Sequence, residues 1–393
     1  MIATGLDRLL EQPEALAGRR FGLLAHGASV TADLVPAHLA LTAVGRRPAL
    51  LLGPEHGFYG VEQDMVAAGD DRDPWTGAPI RSLYGDSPSS LRPGPEIFRD
   101  LDLLLVDLQD VGTRYYTYLA TAVWAAIEAL DGGCRVWVLD RPNPLGGEQV
   151  EGNLRRPGFE SFVGAFPTPV RHGLTPGEMI RWRTEEEGLS EGLDVWPVEG
   201  WTPDRSWPDT GRPWMAPSPN MPSYETAVIY PGLCLLEATT LSEGRGTTRP
   251  FHLVGAPGLD GPELAGAIGD RQWRGIRPVP VRFRPQFQKH AGEVCEGVEL
   301  VVTEPDGVEG YRTGVELLEL LWERSGGEGF WREEPYEFVE DRPAVDLLAG
   351  TDELRRRLEE GEDLGSWIRS RAGEERSFRE EIEPYLLYPR RGW

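Results

Sequence analysis

The chain has 393 residues, beyond the size at which a single hydrophobic core stops growing, so two domains are the expectation. Its 40% hydrophobic and 9% aromatic residues supply enough apolar material for packed cores and exclude a disordered chain. A formal net charge of −24, from 64 acidic against 40 basic residues, repels polyanions and sets nucleic acid aside as a partner.

Apolar runs such as Leu101–Leu108 are short and broken by Asp102 and Asp107, far below the ~18–20 residues of a membrane span. The first thirty residues carry no basic stretch followed by an apolar one. Leu9, Leu10 and Leu16 among Glu11, Glu14 and Arg19 read instead as an amphipathic helix. The sequence as it stands therefore points to the cytoplasm, or to a periplasmic or secreted protein trimmed of its leader. Cys134, Cys234 and Cys295 are odd in number and widely spaced, which implies neither a disulfide framework nor a CxxC metal site. Only one basic residue, Lys289, is a lysine. That bias reflects genome composition or a salty habitat and carries no chemistry of its own.

Along the N-terminal half, apolar β runs alternate with helical stretches. Phe21–Ala25 ends in His26-Gly27, and a helix follows over Thr31–Val44 with Thr31 as its cap. Ala49–Leu52 ends in Gly53-Pro54-Glu55-His56-Gly57. Leu101–Val106 ends in Asp107-Leu108-Gln109-Asp110 and leads to a helix over Tyr115–Leu130. Arg135–Leu139 closes in Asp140-Arg141-Pro142-Asn143-Pro144. Strands and helices alternating at this spacing predict a parallel sheet covered on both faces, an α/β fold. Ligands of such sheets bind outside the carboxyl ends of the strands. His26, Glu55, His56, Asp107, Gln109, Asp110, Asp140, Arg141 and Asn143 are therefore expected to converge on one rim. No GxGxxG follows the first strand and no GxxxxGK[ST] occurs, so neither a dinucleotide nor a nucleoside triphosphate is implied.

Trp201–Pro222, rich in Pro and Trp, reads as a long irregular excursion of the kind that carries function. From about Pro250 helical segments (Pro262–Ile268, Thr313–Arg324) alternate with strands (Val279–Phe283, Val298–Val302). The expected architecture is a Rossmann-like domain over residues 1–250 and a smaller α+β auxiliary domain over 251–393, with the active site in the cleft between them.

Each polar cluster admits a chemical and a plain structural reading. Glu55 on its tight turn is either a positioned acid or a solvated turn residue. The run Asp107–Tyr116 mixes carboxylates, an amide, a guanidinium and phenols, the donors, acceptors and ring faces that hold sugars. It also suits a helix start capped by Asp110. Asp140 and Arg141 either face a ligand or pair with each other. Glu243 and Arg245, flanked by glycines in Leu241–Thr247, either present a carboxylate and a guanidinium to a ligand or form a surface salt-bridge loop. The histidines form no HxxxH or HxH pair, so no metal site is expected and no cofactor is implied.

In chain order these segments resemble one family, the exo-β-N-acetylmuramidases, long catalogued as a domain of unknown function. The resemblance rests on Pro54-Glu55-His56-Gly57, on Asp107 through Tyr118, and on Asp140-Arg141-Pro142-Asn143-Pro144. It continues through Pro217–Pro222, Tyr230-Pro231-Gly232, Leu241–Thr247, Phe283-Arg284-Pro285, Lys289, Asp346–Asp352 and Tyr385–Tyr388. It implies a Rossmann-like domain, an auxiliary domain, and release of terminal N-acetylmuramic acid from the non-reducing ends of peptidoglycan fragments. The glutamate matching Glu55 is implied as the leading catalytic residue. Many relatives carry a secretion signal, which this sequence does not show.

Glycoside cleavage needs a proton on the leaving oxygen and stabilisation of an oxocarbenium-like centre. Glu55 is the expected acid, with its pKa raised by burial. Asp107, Asp110 and Glu243 are candidates for the second group, and the sugar's own acetamido group is another. Arg245 or Arg114 suits the lactyl carboxylate of the sugar. His26, His56, Gln109, Asp110, Tyr116, Asp140, Arg141 and Asn143 complete the expected binding set. The sequence holds no GxSxG and no Cys–His pairing, which counts against an amidase or esterase. The non-enzymatic alternative is a module that binds cell-wall fragments without cleaving them.

Overall fold

In the computed structural model, which describes residues 1–62, 71–85, 87 and 90–392, the N-terminal apolar runs form one seven-stranded sheet. Its strands are β1 (Phe21–Ala25), β2 (Leu50–Gly53), β3 (Asp71–Arg72), β4 (Pro79–Ser82), β5 (Leu103–Asp107), β6 (Arg135–Leu139) and β7 (Leu193–Trp196). They lie in the order β3-β4-β2-β1-β5-β6-β7, and every neighbouring pair is parallel except β3–β4. The chain winds outward from β1 in both directions, so the sheet reverses between β1 and β5, where Ala25 lies beside Asp107. Crevices open outside the carboxyl ends of strands at such a reversal.

The strands read as continuous apolar runs because both faces are covered. Leu23, Leu51, Leu103 and Leu105 face the helices Gly5–Glu11 and Ala37–Ala43. Leu24, Leu52, Leu104 and Val106 face the helices Tyr118–Asp131 and Pro176–Glu186. Each such leucine is fully buried and stabilises the fold by about 1.5–3 kcal/mol.

A second sheet of three antiparallel strands follows in the order β8-β10-β9: β8 (Leu253–Ala256), β9 (Ile276–Phe283) and β10 (Cys295–Val302). The helix Gly310–Ser325 packs against the helix Tyr224–Leu233. Backbone meets backbone there: a Cβ on Gly232 would stand 2.1 Å from the Gly310 carbonyl oxygen. Among the described residues no helix is long and apolar enough to cross a membrane.

Several boundaries differ from the sequence expectation. The helix expected over Thr31–Val44 runs only from Ala37 to Ala43. Pro36 drives Val35 out of helical conformation, and Thr31 instead accepts the Val35 N–H in a turn. The helix expected from Tyr115 starts at Tyr118, so Asp110 is not its cap; Asp110 Oδ2 accepts the Gly112 N–H at 2.5 Å. The N-terminal helix ends at Glu11, and Pro13 opens a separate 3₁₀ turn that carries Leu16. The strands β3, β4 and β7 were not legible from the apolar pattern. Half of β4 is exposed and no residue of β7 is fully buried.

Candidate active site

A cavity of about 550 Å³, counting its open mouth, lies at the carboxyl edge of the parallel sheet. One wall comes from the turn after β2 (Glu55, His56) and the segment after β5 (Tyr115–Tyr118). The other comes from Tyr230, Glu237, Arg245, Phe251 and Tyr336.

Glu55 is half-buried on a turn closed by the Gly57 N–H donating to the Pro54 carbonyl at 2.9 Å. His56 takes a left-handed φ of 68° there, a strained value for a non-glycine residue that turns the chain sharply off the strand. Thr117 Oγ1 donates to Glu55 Oε2 at 2.6 Å, and the Tyr118 hydroxyl donates to the Glu55 carbonyl at 3.2 Å. The tyrosines interlock: Tyr116 stands 4.6 Å from Tyr118 and 6.3 Å from Tyr230, centroid to centroid. Burial pushes the Tyr116 and Tyr118 hydroxyls well above their ordinary pKa, so both stay neutral donors.

On the facing wall Glu237 is buried in the 3₁₀ turn Cys234–Ala238. It pairs with Arg245 Nη2 and accepts the Tyr336 hydroxyl at 2.7 Å. Burial raises the Glu237 pKa and nearby Glu243 adds to the rise, while Arg245 opposes both. Glu237 was absent from the expected site. Its signal was one carboxylate inside the apolar run Cys234-Leu235-Leu236-Glu237-Ala238, since a buried charge requires a partner.

The other expected residues lie elsewhere. Asp107 is completely buried and forms a two-point ion pair with Arg141 (Nε–Oδ1 2.6 Å, Nη2–Oδ2 3.0 Å). It therefore does not reach the cavity as the second carboxylate. Burial raises its pKa against the pull of Arg141. Arg141 pairs with Asp107 rather than with neighbouring Asp140 and also donates to the Val30 carbonyl. Asp140 accepts from Gly177 N–H, Thr175 and Tyr388, and burial pushes its pKa up to about 7. Asn143 joins Leu145 N–H to the Leu174 carbonyl, and Gln109 donates to the carbonyls of Asp110 and Pro142. His26 is buried, with Nε2 accepting the Gln109 N–H at 2.8 Å; burial first and Arg141 second lower its pKa to about 3. Asp110 is buried with His172 3.5 Å away. These residues knit the strand ends together and do not line the cavity.

Arg114, an expected reader of substrate, does not line this cavity. It is buried, and its two terminal nitrogens donate to the carbonyls of Asn153, Thr168, Leu348 and Ala349 at 2.7–3.0 Å. Glu243 is buried behind the cavity wall on Lys289 (2.9 Å), with Arg245 Nε at 3.9 Å. Burial opposes its ionisation, yet Lys289 and Arg245 hold its pKa below the usual carboxylate value. Of the expected site, Glu55, His56, Tyr116 and Arg245 line one cavity. Among the described residues no group of three or more His, Cys, Asp or Glu could hold a metal ion.

Two glutamates, an arginine and a row of tyrosines thus line one cavity at the carboxyl edge of the parallel sheet of an α/β protein. Residues 21–225 match the family described as "Exo-beta-N-acetylmuramidase NamZ, N-terminal" and residues 228–388 its C-terminal counterpart. The chain is 36% identical to the peptidoglycan beta-N-acetylmuramidase NamZ of Bacillus subtilis (strain 168), over 98% of this chain and 91% of that protein. Two DUF1343 family proteins from Bacteroides fragilis NCTC 9343 share its fold. One has a TM-score of 0.87 at 29% identity over 99% of each chain; the other has 0.79 at 26% identity over 100% of each. The chain belongs to the exo-beta-N-acetylmuramidase NamZ family and is an exo-acting glycosidase.

Proposed function

We propose that this cavity cleaves the β-glycosidic bond of a non-reducing terminal N-acetylmuramic acid on peptidoglycan fragments, with Glu55 as the general acid. The observation that carries the reading is Glu55 itself, the carboxylate that reaches the cavity from the strand-end rim and is aimed by Thr117. Oε2 accepts the threonine hydroxyl, and the carboxyl in its protonated form is the donor in this reading. The proton passes to the glycosidic oxygen as the C1–O bond breaks, and water then adds to C1 while giving up a proton to the carboxylate left on Glu55. Glu237 is the proposed second carboxylate, facing the developing positive charge from the opposite wall. Tyr116 and Tyr118 cover the C–H face of the sugar. Arg245 takes the lactyl carboxylate with its planar fork.

Product analysis on an N-acetylmuramyl-N-acetylglucosamine disaccharide tests the reaction, with free N-acetylmuramic acid as the expected product. Binding without turnover would return the protein to the fragment-binding alternative, which no comparison favours. E55Q should keep its fold and lose about 10²–10⁴-fold in kcat, and a loss under about tenfold removes Glu55 from the role.

A further inference from the structure

Lys289 is the sole lysine among 40 basic residues, in a chain that uses arginine at every other basic position. It lies between β9 and β10, in a loop folded onto the Arg245 loop: Gln286 N–H donates to the Gly246 carbonyl at 2.8 Å. The fit there is close, since a Cβ on Gly246 would stand 2.5 Å from the Phe287 carbonyl oxygen. Both neighbours of Lys289 hold left-handed backbone, Gln288 at φ 68° and His290 at φ 56°. Two non-glycine residues in that region around one side chain is a strained arrangement, which the surrounding contacts must hold in place.

The Lys289 ammonium donates to Leu236 O at 2.8 Å, Leu241 O at 3.0 Å and Glu243 Oε2 at 2.9 Å. Three donors meet three acceptors, a match that a planar guanidinium on a longer stem cannot reproduce. Leu236 directly precedes Glu237, and Glu243 stands two residues before Arg245. The ammonium therefore ties the turn that carries Glu237 to the loop that carries Arg245. It also balances charge. Without it Arg245 would stand between two buried carboxylates with a net charge of −1, a poor place for an incoming anion.

We infer that Lys289 is a positioning residue that neutralises Glu243 and so lowers the negative charge around Arg245, which lines the cavity where the carboxylate of the substrate would bind. The inference rests on the reading of Arg245 given above. Its test uses the full-length enzyme with N-acetylmuramic acid and N-acetylglucosamine as competitive inhibitors. K289M should raise KM for the muramyl disaccharide and Ki for N-acetylmuramic acid by about tenfold or more. Over the same change kcat should move by less than about threefold and Ki for N-acetylglucosamine should hold. K289M/E243Q, which removes the stranded carboxylate, should return both constants to within about threefold of the parent. K289R should behave like K289M.

An unchanged KM in K289M, equal loss for both sugars, or a double variant no better than K289M would each overturn the inference. If K289M does not fold, E243Q decides alone: it should hold or lower KM, and a tenfold rise overturns the inference. R245A separates the two claims. Equal weakening of both sugars in R245A sinks the reading of Arg245 itself. A selective loss in R245A with none in K289M sinks only the role of Lys289.

Discussion

The strand-end rim and the facing wall of the cavity contain the same kinds of residue and use them oppositely. Under the rim, Asp107, Arg141, Asp140, Gln109 and Asn143 bind one another or the backbone and are buried. On the wall, Glu237 and Arg245 are paired as well, but Arg245 keeps 18% of its side chain exposed and both line the cavity. A charged residue at a strand end is therefore placed to meet a ligand only where its neighbours leave it lining the cavity. The rim residues close on one another, whereas Glu55, one residue past a proline, and the Glu237–Arg245 pair, from a 3₁₀ turn and the loop after it, line the cavity.

Breaking the rim should cost stability first. R141M strands the Asp107 carboxylate, and removing one partner of a buried pair costs about 3–5 kcal/mol. Urea unfolding should show that loss, while kcat/KM measured at low temperature on folded protein stays within a few fold. A collapse of kcat with unchanged stability would return Asp107 to the catalytic set. Breaking the wall should cost selectivity instead. R245A should lose about 2–4 kcal/mol in kcat/KM on substrates carrying the lactyl ether, and much less on matched substrates lacking it. Equal losses on both would make Arg245 a purely structural residue.

A third test titrates the rim. The buried imidazole of His26 has its pKa lowered from the ordinary 6.5 to about 3, so the fold favours its neutral form. That contribution is fully present above pH 6.5 and is lost as pH falls toward 3, with a slope of about 1.4 kcal/mol per pH unit for one proton. H26N should flatten the acid limb of stability against pH by that one proton. An identical limb would mean that His26 takes up its proton freely in the folded state. The smallest effect is expected from chelation. With no donor cluster among the described residues, exhaustive EDTA treatment should leave activity unchanged. A loss restored by Zn²⁺ or Mg²⁺ would contradict this.

The parallel sheet was legible because strands buried on both faces leave continuous apolar runs, as in Leu103–Val106. β7 was not, since its packing depends on an edge neighbour and leaves its residues half-covered. Within the site, Glu55 stood out by its turn and Arg245 by its flanking glycines. Sequence shows that Asp107 and Arg141 each lie at or just past a strand end, but not that β5 and β6 are adjacent and bring them within 2.6 Å. Glu237 was passed over because its helical turn reads as plain core. The four carbonyls that hold Arg114 are not legible either, because a guanidinium beside tyrosines suits a sugar acid equally well.

Those four carbonyls also bear on how the chain comes apart. Asn153 and Thr168 belong to the portion matched by the N-terminal family description, Leu348 and Ala349 to the C-terminal portion. Parting the portions would leave a buried cation with half its acceptors, at about 1–3 kcal/mol for each group left unpaired. Arg114 thus opposes separation of the two portions, and with it the parting of the two walls of the cavity.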